Sequence, residues 1–328
     1  MKALKQFFSM MKETASEWSN DKASRLAAAL ALYTLLSMAP LLMLIVAIMG
    51  LFFGDDAARG EVATQLRNLM GPQPSQAVET VLQSANRPTQ GIVATVGSVA
   101  VLLFGASGVF GELQDSLNTI WEVAPKPGRG IKGLIKDRFF SFTMVLGVAF
   151  LLLVSLVLTT ALSAVGHVVA PASGALAALW QVVNFVASFG LVAVLFALIF
   201  KIIPDVRIAW KNVWTGALFT AFLFTVGKLV LGIYLGRASV ASPYGAAGSI
   251  VVLVMWVYYS AQILFFGAEF TQVHARRQGA KMTPTSDAVP LTAEAKANLG
   301  LVDSKTKEPT TKRDEPSAPS TLTPQSVR

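Results

Sequence analysis

The chain has 328 residues, of which 53% are hydrophobic and 14% charged, with a formal net charge of +8 and no cysteine. A soluble globular chain is about a quarter charged, so this composition excludes an ordinary water-soluble domain. The missing thiols exclude disulfides, thiol catalysis and thiolate metal sites. Long uncharged apolar runs alternate with short basic segments, the pattern of an integral membrane protein. The positive balance therefore points first to loops facing a cytoplasmic leaflet and only second to nucleic acid.

Residues 1–25 carry charges throughout, and the first long apolar run exceeds a signal-peptide core, so that run reads as an uncleaved span. Within 1–25, Leu4, Phe7, Phe8, Met11, Ala15 and Trp18 recur at helical spacing, flanked by Lys2, Lys5 and Lys12. This predicts a cytoplasmic amphipathic helix, either lying in the membrane interface or packed on the other helices.

Six spans follow, at about 26–53, 92–111, 139–165, 176–203, 211–236 and 245–269. Each holds ~20 or more largely apolar residues, enough to cross a ~30 Å hydrocarbon core. The expected fold is therefore all-α: a polytopic membrane protein of six transmembrane helices. Lys126, Arg129, Lys132, Lys136 and Arg138 fall on the same side as both terminal segments, as do Lys201, Arg207 and Lys211. The opposite loops are poorer in Lys and Arg, which places both termini in the cytoplasm. The outer loop 54–91 carries two short amphipathic stripes broken by GPQPS and reads as a helical cap. From about Gln278 the chain is rich in Thr, Pro, Ser and Lys, so 276–328 reads as a disordered cytoplasmic tail.

Gly105, Gly108 and Gly111, and Gly232 with Gly236, lie at spacings that let helices approach closely. Pro40 sits mid-span, removes a helical hydrogen bond and is a candidate hinge.

Lys228 lies inside the fifth span, about 16 residues (roughly 24 Å) from its cytoplasmic end. The span carboxylates Glu112 and Glu269 fall at the opposite, inner side. Lys228 thus has neutral neighbours at its depth, and an intramembrane cation is a functional-site hypothesis by default. Three readings stand: an anion contact in an outward-open cavity, with Asn184, Ser188 and Thr160 supplying neutral hydrogen bonds; an outward snorkel; or a pair with Asp55 or Asp56. On the inner side, Glu112, Glu269, Asp205, Arg25, Arg138 and Arg207 are candidates for an ion-pair cluster, acting as a structural lock or an inner gate.

No HxH or HExxH cluster, phosphate-binding GxxxxGK[ST] loop or GxSxG elbow is present, and His167 and His274 fall on opposite faces. No cofactor, metal or enzymatic activity is expected. Membrane lipids are the expected partners, with an anionic small molecule or lipid as substrate; self-association stays open and no nucleic acid is expected.

Several stretches carry a family resemblance. YGAAGSIVVLVMWVYYSAQILFFGAEFTQV (Tyr244–Val273), the first span with Ser37 and Pro40, LNTIWEV (Leu117–Val123), PDVRIAWKNVWTGA (Pro204–Ala217), and Gly227-Lys228 followed by Tyr234-Leu235 resemble the YihY/BrkB family of bacterial inner-membrane proteins. The resemblance covers about residues 10–275, with the tail outside it. It implies a six-helix inner-membrane protein and carries little about function. Some members were once labelled ribonuclease BN, others were linked to virulence and serum resistance, and envelope lipid or small-molecule export has been proposed. The absent metal-ligand cluster argues against the nuclease. The expected function is transport or flipping of an anionic envelope metabolite or lipid. A non-transporting envelope scaffold is the alternative.

Overall fold

A computed structural model describes residues 2–84, 92–127, 143, 147, 150–151, 154, 175–237, 248–280 and 282–301. Its first helix, α1 (Lys2–Asn20), turns at Lys22 into α2 (Ala23–Phe53). Two shorter helices follow, α3 (Asp55–Met70) and α4 (Pro72–Ser84), then the long α5 (Ile92–Ile120). After β1 (Val123–Pro125), the remaining long helices are α6 (Ala175–Ile202), α7 (Trp210–Arg237) and α8 (Gly248–Arg277), with β2 (Val206–Arg207) between α6 and α7. The described chain closes with β3 (Thr283–Pro284), β4 (Ala288–Pro290) and α9 (Ala293–Asn298).

Among the described residues, four helical stretches are long and apolar enough to cross a membrane: Ala23–Leu51, Ala178–Ile202, Trp210–Tyr234 and Gly248–Arg277. They correspond to the predicted first, fourth, fifth and sixth spans. The second predicted span falls within α5. Most of the third, 139–165, lies outside the described residues.

The helices run further than hydropathy alone indicates. The predicted second span ends at 111, but α5 continues to Ile120; the sixth ends at 269, but α8 continues to Arg277. The extra turns hold polar side chains absorbed at the end of the bundle where α1 and the returning strands pack, labelled the inner end after the topology expected from the sequence. Gln272, buried on α8, donates to the Ile120 carbonyl at the end of α5 at 2.7 Å. This satisfies one of the carbonyls that a helix C-terminus leaves without a partner.

The predicted disordered tail is corrected in part. Residues 283–290 pair back onto the inner face: β4 runs antiparallel to β1, with Ala124 opposite Val289, and β3 antiparallel to β2, with Val206 opposite Pro284. Short strands suffice because each edge needs only a few backbone partners. Thr292 caps α9 by accepting from the Ala295 amide at 3.2 Å. Residues 302–328 lie outside the described residues.

Two large apolar cores and a small one around Leu231 and Val252 result among the described residues. The inner large core joins the start of α2, the ends of α5 and α6, the start of α7 and the middle of α8, around Leu117, Ile120, Phe200, Val213 and Phe265. The outer one joins the far half of α2 to the α3–α4 cap, around Met49, Val62, Val78 and Leu253.

Close approach between α7 and α8 rests on a reciprocal exchange. Thr271 of α8 sits where a Cβ on Gly216 of α7 would lie, and Thr220 of α7 sits where a Cβ on Gly267 of α8 would lie. Each hydroxyl donates to the carbonyl four residues back on its own helix, Thr220 to Gly216 at 2.7 Å and Thr271 to Gly267 at 2.6 Å. The polar atoms are thus satisfied within each helix, and the methyl and hydroxyl groups fill the facing groove. On α2, Pro40 leaves the helix assigned without interruption from Ala23 to Phe53, and its ring packs on Gly105 of α5, where a Cβ would lie 2.8 Å from Pro40 Cγ.

Candidate functional site

At the predicted outer site Lys228 makes a contact that none of the three readings named. Lys228 is exposed on α7, and its Nζ donates to the backbone carbonyl of Asn68 at 2.7 Å. Asn68 lies in the last turn of α3, where carbonyls lack helical donors and the helix dipole is negative. Gly71, at φ 84°, turns the chain away and donates to the Arg67 carbonyl at 2.9 Å. The lysine therefore ties a long apolar helix to the end of the outer cap. Asn184 is half-buried and Ser188 exposed on α6, and no hydrogen bond among the described residues joins either to Lys228. Thr160 lies outside the described residues. No ion pair from Lys228 to Asp55 or Asp56 occurs among the described residues. An open cleft of about 480 Å³ between α3 and α4 is lined by Arg59, Thr64, Arg67 and Glu79; Lys228 is not part of it.

The predicted inner cluster separates into distinct contacts. Asp205 accepts from Asn118 Nδ2 at 3.0 Å and Gln114 Nε2 at 3.2 Å, and its own amide donates to Asn118 Oδ1 at 2.7 Å. This clamp binds the α6–α7 connection to α5 without an ion pair. Arg25 and Arg207 are exposed, Glu112 is half-buried on α5, and Arg138 lies outside the described residues. Glu269 is fully buried. Because α8 runs on to Arg277, Glu269 lies two turns inside the helix rather than at its end.

The ionic network at the inner face involves residues that sequence reasoning passed over. Arg276 bridges Glu13 at 2.6 Å and Glu17 at 2.8 Å, and Arg277 holds Glu13 at 2.5 Å and Ser9 Oγ at 2.9 Å. Burial alone would raise the Glu13 carboxyl, but hydrogen bonds and charge from the two guanidinium groups hold it below its ordinary value. The clue was present in sequence: Glu13 and Glu17 are four apart on one face of the first helix, opposite a run of two arginines.

Beside this network lies an acidic pair. Asp21, in the turn between α1 and α2, is within hydrogen-bonding reach of the buried Glu269 carboxyl. Among the described residues neither Glu269 oxygen finds a donor. Two ionised carboxylates are acceptors only, so proximity alone gives them no hydrogen bond. Burial pushes the Asp21 carboxyl up to about 7; Glu122 and Glu17 push the same way, and the contact with Glu269 and the charge of Lys296 oppose it. Two non-glycine residues with positive φ flank the pair in sequence or charge: Lys22 at 52° follows Asp21, and Glu122 at 55° carries an ion pair to Lys296 at 2.9 Å.

Apolar helices of spanning length define a multi-pass membrane protein. Residues 14–292 match the family described as Virulence factor BrkB, and the chain belongs to that family. The match extends past residue 275 into the segment that pairs back onto the inner face. A UPF0761 membrane protein of Pseudomonas paraeruginosa is 27% identical over 260 residues, covering 77% of this chain and 60% of the relative. Another, from Pseudoalteromonas translucida, is 27% identical over 250 residues, covering 74% of this chain and 78% of the relative. The chain thus spans about 60% of the length of the Pseudomonas relative. No solved structure matches.

Proposed function

We propose that this chain is a six-span, non-enzymatic protein of the bacterial inner membrane, with both termini in the cytoplasm, that moves an anionic envelope metabolite or lipid. The observation that carries the reading is the Lys228 contact. Its ammonium meets a neutral carbonyl rather than a carboxylate, so its charge is not neutralised there. An arriving phosphate or carboxylate makes a charge-assisted bond roughly twice as strong as one to a neutral acceptor. Exchange of the Asn68 carbonyl for the anion would free the end of α3 and let the cap move. Pro40 serves as the hinge of the helix that leads into that cap.

The test is flipping of a fluorescent anionic phospholipid in vesicles containing the purified protein. Lys228→Met should abolish it, and Lys228→Arg should retain a substantial part. A fully active Lys228→Met protein would sink the proposal. The scaffold reading draws support from the Gly–Thr exchange between α7 and α8, which favours a fixed body. It predicts stable protein partners on pull-down and no flipping by the unaltered protein. A membrane-bound ribonuclease has the least support, since among the described residues no three metal-capable side chains gather.

A further inference from the structure

The acidic pair at the inner face has no part in the proposed outer site, and its role is independent of that site. Glu269 is placed by packing: α8 carries it into the space between α1 and the inner core, fully buried, with Ala268 and Phe265 beside it on the same helix. Its two oxygens lack donors among the described residues. Arg276, two turns on, is engaged by Glu13 and Glu17. What Glu269 meets is a second carboxyl, that of Asp21. A buried ionised carboxylate without a partner is strongly unfavourable, and two facing each other more so. One proton resolves both problems, since a protonated carboxyl donates to its neighbour and removes one charge.

We propose that Asp21 and Glu269 form a proton-binding site that holds one proton between the two carboxyls and so seats α1 and its turn against α8. The proton enters from cytoplasmic water through the partly exposed Asp21 and returns there on ionisation, so no co-reactant is needed. The charged groups facing the pair come from each neighbouring element: Glu17 on α1, Glu122 after α5, Arg276 on α8 and Lys296 on α9. The elevated Asp21 carboxyl agrees with this arrangement. A carboxyl raised in the folded state binds a proton that the unfolded chain has already released. Stability from it is therefore full below the unfolded value, about pH 4, and falls as pH rises through about 7. A three-ligand metal site is the competing use of acidic groups, and among the described residues none gathers here.

The experiment is an infrared titration of the full-length protein in lipid nanodiscs, followed by melting temperatures across the same pH series. A protonated carboxyl C=O band should persist above about pH 5.5, where solvated carboxyls are ionised, and fade on further rise in pH. Asp21→Asn and Glu269→Gln each supply an amide donor to the remaining carboxylate. Each should remove the band and flatten the fall in melting temperature between about pH 4 and pH 7. Absence of the band in the unaltered protein, or an equal pH slope in all three proteins, overturns the proposal. So does a melting temperature at about pH 9 that rises when sodium or magnesium chloride replaces choline chloride, since a metal cation would then be the ligand. If a variant fails to fold, the infrared titration of the unaltered protein still decides.

Discussion

The two ends of the bundle are held together by different chemistry. At the inner end, α1, α5, α8, the α6–α7 connection and the returning strands are joined by buried side-chain amides, backbone pairing and a two-arginine network. At the outer end, the α3–α4 cap rests on α2 and α8 through apolar contacts, and a hydrogen bond from Lys228 links it to α7. Many mutually dependent bonds make a region open as a unit, whereas a surface element seated mainly on apolar contacts can open separately. On this contrast the outer cap is the element expected to open first, with the inner end as its frame.

That contrast can be broken most severely at the α7–α8 crossing. Gly216→Val or Gly267→Val should each destabilise by about 1–3 kcal/mol, since overpacking must push the helices apart. Pairing Gly216→Ala with Thr271→Gly should recover part of the loss seen with Gly216→Ala alone, measured by thermal unfolding in detergent. Unchanged melting in Gly216→Val would refute the interlock. Asn118→Ala comes next: it strips two bonds from the Asp205 clamp and should cost about 1–3 kcal/mol, because buried polar groups lose their partners. Smaller again is the effect of acid on α1. The depressed Glu13 carboxyl contributes fully above its ordinary value of 4.5, and this contribution is lost as pH falls through its lower folded value. Glu13→Gln should abolish the acid-induced rise in hydrogen exchange of α1 amides. Least costly is Lys228→Met, at about 0.3–1 kcal/mol for a cation at a helix C-terminus. Its signature should be local: faster exchange in α3 with the inner helices unchanged. A protein-wide increase would erase the distinction between the two ends.

Much of this architecture was legible in the sequence. Apolar runs mark α2, α6, α7 and α8, and Gly71 within GPQPS marks the break between α3 and α4. Hydropathy reports where lipid contact ends rather than where a helix ends, so the polar last turns of α5 and α8 fell outside the predicted spans. Composition made 276–328 look unstructured, because Pro- and Thr-rich segments can be ordered by edge pairing that no local pattern announces. Depth arithmetic separated Lys228 from Glu112 and Glu269, but a backbone carbonyl as its partner leaves no trace in residue identity. Asp21 was passed over for a related reason. It matters only because α1 folds back along α8, and that contact joins residues at opposite ends of the described chain.

That same contact has a consequence for how the protein is made. Among the described elements α1 is synthesised first, while α8 and the strands that close the inner face come last. The carboxylates of α1 must therefore wait, in water or at the membrane surface, until α8 has emerged before Arg276 and Glu269 reach them. The inner frame is the last part to be completed, and a chain interrupted before α8 would leave Glu13 and Glu17 without the arginines that hold them.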